Sequence, residues 1–340
     1  MDRKSLGVMV AAALLVAGCA VTSKAGGTAA RTQKGFLGTK KAELDVTTDK
    51  AFAGVQQVVI GSFKVGFTDT KKSSAKAGGG FMSSGMGHAS AKMELTGVSD
   101  ELRQQITDAA YADFVAALEQ AGYQVVDRAQ LLSHEAFAKT KSFPSPHKIN
   151  NSPFAIGHEI TYFAPSSFPA LHLFASDGAG LGGGIGSSNP SAGAIDFASK
   201  TGIKVLSVNY ITDFANADAH GGGFAMHASV AVGQGLSIRP GSGVELLGGQ
   251  GGTFSKANGM IHLGQPVYST EQFAEVLGTT SAVNKSLQAA VNVTSVLLGG
   301  GSSTSRSFEV RANPEQFQAI TTDLLQKSNK KIVDKMASLR

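Results

Sequence analysis

The stretch Gln57-Val58-Val59-Ile60-Gly61-Ser62-Phe63-Lys64-Val65-Gly66-Phe67 decides the fold. Val59, Phe63, Val65 and Phe67 share one face at period two, which predicts a β-strand. Downstream, Ser99 stands at a helix cap, with Asp100 and Glu101 at the positive end of the helix dipole. Leu102, Ile106, Ala110, Phe114 and Leu118 recur at four-residue spacing as an apolar stripe, and Gly122 ends the helix. Tyr123-Gln124-Val125-Val126-Asp127-Arg128 reads as a short buried strand, with Asp127 placed to cap or to pair with Arg128. Ala129 to Lys139 opens another helical segment. Strand, helix, short strand, helix is an α/β beginning.

Further along, Met93-Glu94-Leu95 and Leu171-His172-Leu173-Phe174 are short strand candidates, and Ile203 to Phe214 is a long one. Ala225 to Val232 alternates, Pro240-Gly241 marks a turn, and Val244 to Leu247 and Gly259 to Leu263 follow as strands. Ser269-Thr270-Glu271-Gln272 is a capping box that predicts a helix closed by Gly278. Asn313-Pro314-Glu315-Gln316 opens the last helix, whose apolar face holds Phe317, Ile320 and Leu324. The expected architecture is one α/β (α+β) domain over residues 51–340. It is a mixed β-sheet with helices packed mainly on one face and Gly-rich insertions at about 69–91 and 175–200.

Composition narrows the classes. Charged residues make up 16% of the chain, and its 42 glycines gather in clusters such as Gly78-Gly79-Gly80, Gly182-Gly183-Gly184 and Gly221-Gly222-Gly223. Such clusters break regular elements and favour turns. The net charge of +5 is scattered, with no basic stripe interleaved by aromatics, so no nucleic-acid partner is expected. Lys71-Lys72, Lys76 and Lys330-Lys331 are placed either to touch anionic headgroups or to form a solvated face.

No catalytic motif is visible. Gly178-Ala179-Gly180-Leu181-Gly182-Gly183 fits the dinucleotide spacing, but the following Gly184 to Pro190 reads as unable to start the helix a pyrophosphate needs. The eight histidines show no metal-binding spacing: His220 and His227 are separated by glycines, and His158-Glu159 is a lone pair. No G-x-S-x-G elbow occurs. Neither a cofactor nor a metal nor a catalytic set is expected, and the chain reads as non-enzymatic.

The N-terminus supplies the strongest signal. Asp2-Arg3-Lys4, an apolar run from Leu6 to Val16, and Ala17-Gly18 before Cys19 describe a secretory signal over residues 1–18. Leu15-Val16-Ala17-Gly18-Cys19 resembles the bacterial lipobox, with Cys19 as the lipidation site and only cysteine. Ala20, by resemblance to lipoprotein sorting in enteric bacteria, points to the outer membrane with a periplasmic domain. Residues 19–50 read as a lipidated flexible tether.

The strand Val58 to Phe67, the helix from Glu101, and Gly122-Tyr123-Gln124-Val125-Val126-Asp127-Arg128-Ala129-Gln130-Leu131-Leu132 together resemble the curli secretion (CsgG-like) lipoprotein family. In that family the motif strand leads into a helix with a late Glu, here Glu135. The resemblance implies a lipid-anchored, oligomeric, non-enzymatic secretion or envelope-assembly component, with homo-oligomer or envelope-protein partners. Curli members build ring-shaped pores from β-hairpins. The alternatives are a monomeric periplasmic binding lipoprotein and an envelope hydrolase whose acids meet only in three dimensions.

Overall fold

The computed structural model describes residue 30 and residues 41–77, 87–150, 158–177, 188–220, 229–248, 258–279, 295–299 and 303–340. Its sheet is mixed and centred on β2 (Gln57–Ala77) and β7 (Lys204–His220), parallel neighbours from Val58↔Lys204 to Phe67↔Thr212. Beyond β7 lie β9 (Gly243–Leu247), β10 (Gly259–Leu263) and β1 (Leu44–Thr47), each antiparallel to the strand before it. β4 (Gln124–Val125) and β6 (His158–Phe163) also pair with β2, and β5 (His147–Asn150) pairs with β6.

Two long helices, α1 (Asp100–Gln120) and α5 (Pro314–Leu339), cover one face. Ser99 caps α1 by accepting the Leu102 N–H at 3.2 Å, and Gly122 supplies the left-handed φ of +82° just past its end. Asn313 accepts the Gln316 N–H at 3.0 Å, and Pro314 fits the first turn of α5, where no amide is needed. Ile106, Ala110, Phe114 and Leu118 of α1 pack with Phe317, Leu324, Ile332 and Met336 of α5 in the main core. The short helices α2 (Ala129–Leu132) and α3 (Glu135–Ala138), with α4 (Pro190–Thr201), build a second core on the other face.

The register of β2 against β7 slips between Ile60 and Ser62. Such a bulge inserts one residue and reverses the side-chain phase. Val58 and Ile60 therefore join Phe63, Val65 and Phe67 in the main core. Val59, assigned to that face by period, instead meets Leu131, Phe137 and Phe174 on the other side. Gly61 sits at the slip, where a Cβ would come within 2.6 Å of Val205 Cγ1.

Several sequence expectations change. Much of 69–91 is not an insertion: β2 continues to Ala77 and pairs with β3 (Gly87–Thr96) from Thr70↔Glu94 to Ala77↔Gly87. Its small and polar composition hides the alternation, because Ala75, Ala89 and Ala91 are the buried members. Within 175–200, Asn189 accepts the Ser191 N–H at 2.8 Å and starts α4 with Pro190, so this stretch does open a regular helix. Residues 178–187 lie outside the described residues.

The segment after Ser269 forms no helix but the strand β12 (Ala274–Gly278), antiparallel to β14 (Ser303–Ala312). Ser269 does accept the Glu271 N–H, yet the next amides, Phe273 and Ala274, donate to Gln234 Oε1 at 3.0 and 3.1 Å. That long-range partner draws the chain out into an extended course. Leu171 to Phe174 contributes one bridge, Phe143↔Leu171, rather than a strand. The reading of residues 19–50 as tether runs too far, since β1 and a 3-10 turn at Asp49–Phe52 already belong to the domain.

Candidate functional site

The sheet face opposite α1 and α5 carries an unusual run of polar groups. Lys64 on β2 lies level with Asn209 on β7, Ser62 with Ser207, and Ser207 with Glu245 on β9. Lys64 Nζ sits 2.8 Å from Asp177 Oδ2, with side-chain exposures of 0% and 2%. Ser62 Oγ at 3.3 Å, the Val208 carbonyl at 3.4 Å and Ser207 Oγ at 3.5 Å complete its surroundings. The Phe174 N–H donates to Asp177 Oδ2 at 2.6 Å and fixes the carboxylate.

Burial pushes the carboxyls of Asp177 and Glu245 above the usual carboxylate range, and the Lys64 ammonium pulls both back. Two acids and an ammonium close together are the raw material of acid–base catalysis. These three side chains, however, are almost wholly buried. A cavity of about 600 Å³ lies elsewhere, on the outer surface between α1 and α5, lined by Asp113, Ala117, Lys330 and Asp334. The buried cluster is a packed polar joint between the sheet and the Phe174–Asp177 segment.

Arg128, the end of the motif strand, works beside it. Its Nη2 donates to the Gly61 carbonyl at 3.1 Å and lies 3.2 Å from His172 Nδ1, while the guanidinium stacks 3.9 Å from the Phe168 ring centroid. Arg128 thereby pins the bulge of β2. Burial lowers Arg128 to about 10 and His172 to about 4, the neighbouring Arg128 charge adding to the latter. Asp127 accepts the Ala129 N–H at 2.9 Å just ahead of α2, and no ion pair joins it to Arg128 among the described residues. Glu135 is exposed and pairs with Lys139 at 2.6 Å.

His158 is likewise held down to about 4 by burial and then by Arg239. Both histidines titrate below their unfolded value of about 6.5. Their contribution to stability is therefore complete above pH 6.5 and lost as pH falls toward 4. For His172 the loss amounts to about 3 kcal/mol. The raised Asp177 and Glu245 act in the opposite sense, so the informative quantity is a difference. Urea midpoints measured between pH 7 and pH 4 should fall less steeply for His172→Gln than for the parent, and equal slopes would refute the assignment.

Lys71, expected at a surface, is instead drawn in to Asp213 at 2.6 Å. Burial alone would raise Asp213, but Lys71 and Arg239 hold it below the usual range. Lys330 and Lys331 pair with Asp334 and Glu43 at 2.8 and 2.7 Å. His158 and Glu159 part company, His158 turning inward and Glu159 pairing with Lys148 at 2.9 Å. Among the described residues no three His, Cys, Asp or Glu side chains are grouped to hold a metal, and no helix is long and apolar enough to cross a membrane. Cys19, His227 and the Gly178–Gly183 stretch lie outside the described residues.

The second feature is the hairpin end of the sheet. Past Phe67↔Thr212 the two central strands separate, β2 pairing with β3 and β7 with β8 (Ser229–Ile238). β14 and β12 extend the first hairpin, while β13 (Ser295–Gly299) and β11 (Val267–Tyr268) extend the second. Ala75, Ala89, Ala91, Met93, Val230, Val232 and Phe308 are buried in one cluster, so the apolar faces of the two hairpins turn inward. Lys72, Ser74, Lys76, Lys92 and Glu94 are exposed on the outer face of the first.

The sequence does hold a signal for this pairing. Gly78-Gly79-Gly80-Phe81, between β2 and β3, and His88-Ala89-Ser90, at the start of β3, are matched by Gly221-Gly222-Gly223-Phe224 and His227-Ala228-Ser229, between β7 and β8 and at the start of β8. Residues 78–86 and 221–228 lie outside the described residues. A search for internal repeats would have linked the segment around residues 78–90 to that around residues 221–229. Comparison with family models, curated proteins and solved structures finds no match to this chain.

Proposed function

We propose that this chain is an outer-membrane lipoprotein, held by lipid on Cys19 with its domain in the periplasm, that acts by binding as a non-enzymatic secretion or envelope-assembly component. The observation that carries the reading is the pair of hairpins. The two central strands run on beyond the α/β core as a β-structure whose outer face is free to meet a partner. Sealing of the Lys64–Asp177 joint argues against a working acid–base site there.

The domain acts as a single copy. Membrane barrels shared between subunits need an apolar band facing lipid, and here the apolar hairpin faces are already buried against each other within one chain. A ring-forming reading has one observation in its favour: β3 and β8 are each 10 residues long, the length of a membrane strand. Native mass of the detergent-extracted protein, with negative-stain images of the same peak, separates the two. A compact particle of one chain is expected; a closed ring with a central channel would contradict this reading and open the hairpins to membrane insertion.

A further inference from the structure

We infer that the outer face of the β2–β3–β14 sheet docks on the phosphate headgroups of an anionic membrane surface. The register sets Lys72 directly opposite Lys92, Ser74 opposite Ser90 and Lys76 opposite His88. Ser90 Oγ donates to Ser305 Oγ of β14 at 2.9 Å, continuing the hydroxyl row onto the third strand. From Thr70 to Ala77, Gly87 to Met93 and Ser303 to Phe308 these strands contain no acid. The nearest, Glu94, lies 3.7 Å from Lys92; Glu159, beside Thr70 on β6, is engaged by Lys148 at 2.9 Å, and Glu309 by Thr96 and Arg311 at 2.8 and 3.1 Å.

Like charges directly opposite one another weaken an antiparallel pair. Lys72, Lys76 and Lys92 are exposed, and a layer of phosphates would supply counter-charge that Glu94 gives to Lys92 alone, along with acceptors for the serine hydroxyls. Of the lysines that the sequence set apart as candidates for headgroups, only Lys72 and Lys76 stay unpaired among the described residues; Lys92, level with Lys72, adds a third charge to the face while pairing with Glu94 at 3.7 Å.

A membrane, not a soluble polyanion, is favoured by where the chain enters the domain. Leu44 pairs with Leu263, His262 with Gly243, and Gly243 with Asn209. β1 therefore starts about level with Tyr210 of β7, at the root of the hairpins, so the first described residues of the domain lie on that side. Ala30 is already buried, and residues 20–29 reach at most about 35 Å when extended, comparable with a hairpin roughly 30 Å long that touches the surface beside its anchor. The orientation rests on the lipid-anchor reading; the test does not use the lipid.

The mature chain, from residue 19 onward and carrying Cys19→Ser, is mixed with vesicles of phosphatidylcholine, with and without phosphatidylglycerol, and the bound fraction is measured by sedimentation. Binding is expected only to the anionic vesicles. It should weaken about fivefold for each lysine replaced, and about a hundredfold for Lys72→Gln, Lys76→Gln and Lys92→Gln together. A charge-matched variant, Lys330→Gln, Lys331→Gln and Lys335→Gln on α5, should bind like the parent. Equal binding by the first triple variant, equal loss in the second, or retention on heparin without vesicle binding would each overturn the proposal. Failure here leaves the lipid anchor untouched, since membrane release on Cys19→Ser is read separately.

Discussion

Lys64→Met should lower the unfolding free energy by about 3–5 kcal/mol, because it leaves a buried carboxylate without its cation. That is a large fraction of the roughly 5–15 kcal/mol that holds a typical domain folded. Lys64 and Asp177 are 0% and 2% exposed and 2.8 Å apart. Once Lys64 is gone, Asp177 can escape the penalty by taking a proton, since burial already favours its neutral form. The deficit of Lys64→Met should therefore grow as pH rises and shrink in acid. Lys64→Met combined with Asp177→Leu removes both charges and should recover most of the lost stability. Urea denaturation of the four proteins closes a double-mutant cycle. A single variant as stable as the parent, at every pH, would mean that the pair does not join the sheet to the Phe174–Asp177 segment.

The sequence made α1, α5, β9 and β10 readable because their signals are local. A cap at Ser99, a four-residue stripe and a closing Gly122 need no knowledge of the rest of the chain. The same local logic failed at Ser269, where Gln234 captures the amides of Phe273 and Ala274 from another strand. It failed at Val59 because the bulge depends on how β2 meets β7, with Gly61 and Arg128 fitting the slip. The first hairpin was hidden by small side chains, as Ala75, Ala89 and Ala91 register weakly as an apolar face, whereas parts of both strands of the second were legible at Ile203 to Phe214 and Ala225 to Val232.

The candidate site was less legible still. Lys64 in a strand of alternating polarity looks like a solvated residue, and Asp177 sits at the edge of a glycine-rich stretch. Only the folded chain places them together beneath the same cover. Lys72 and Lys71 are neighbours with the same side chain, yet one is exposed and the other is bound to Asp213. Alternation along β2 decides between them, and that alternation becomes visible once the strand is known to continue past Phe67.

The second large effect concerns Cys19, the only thiol in the chain. Acyl chains on a lipidated cysteine each bury many methylenes at about 0.8 kcal/mol apiece, and two or more such chains hold a protein stably where one is marginal. The basic hairpin face adds attraction that salt screens, the Debye length falling from about 10 Å at 0.1 M to about 3 Å at 1 M. The two contributions can thus be separated by ionic strength. Membranes from cells expressing the parent or Cys19→Ser, washed in roughly 1 M salt and assayed for the protein in pellet and supernatant, test the account most directly. The parent should stay in the pellet and Cys19→Ser should move to the supernatant with its circular dichroism unchanged; a folded Cys19→Ser chain still pelleting with the washed membranes would contradict the account.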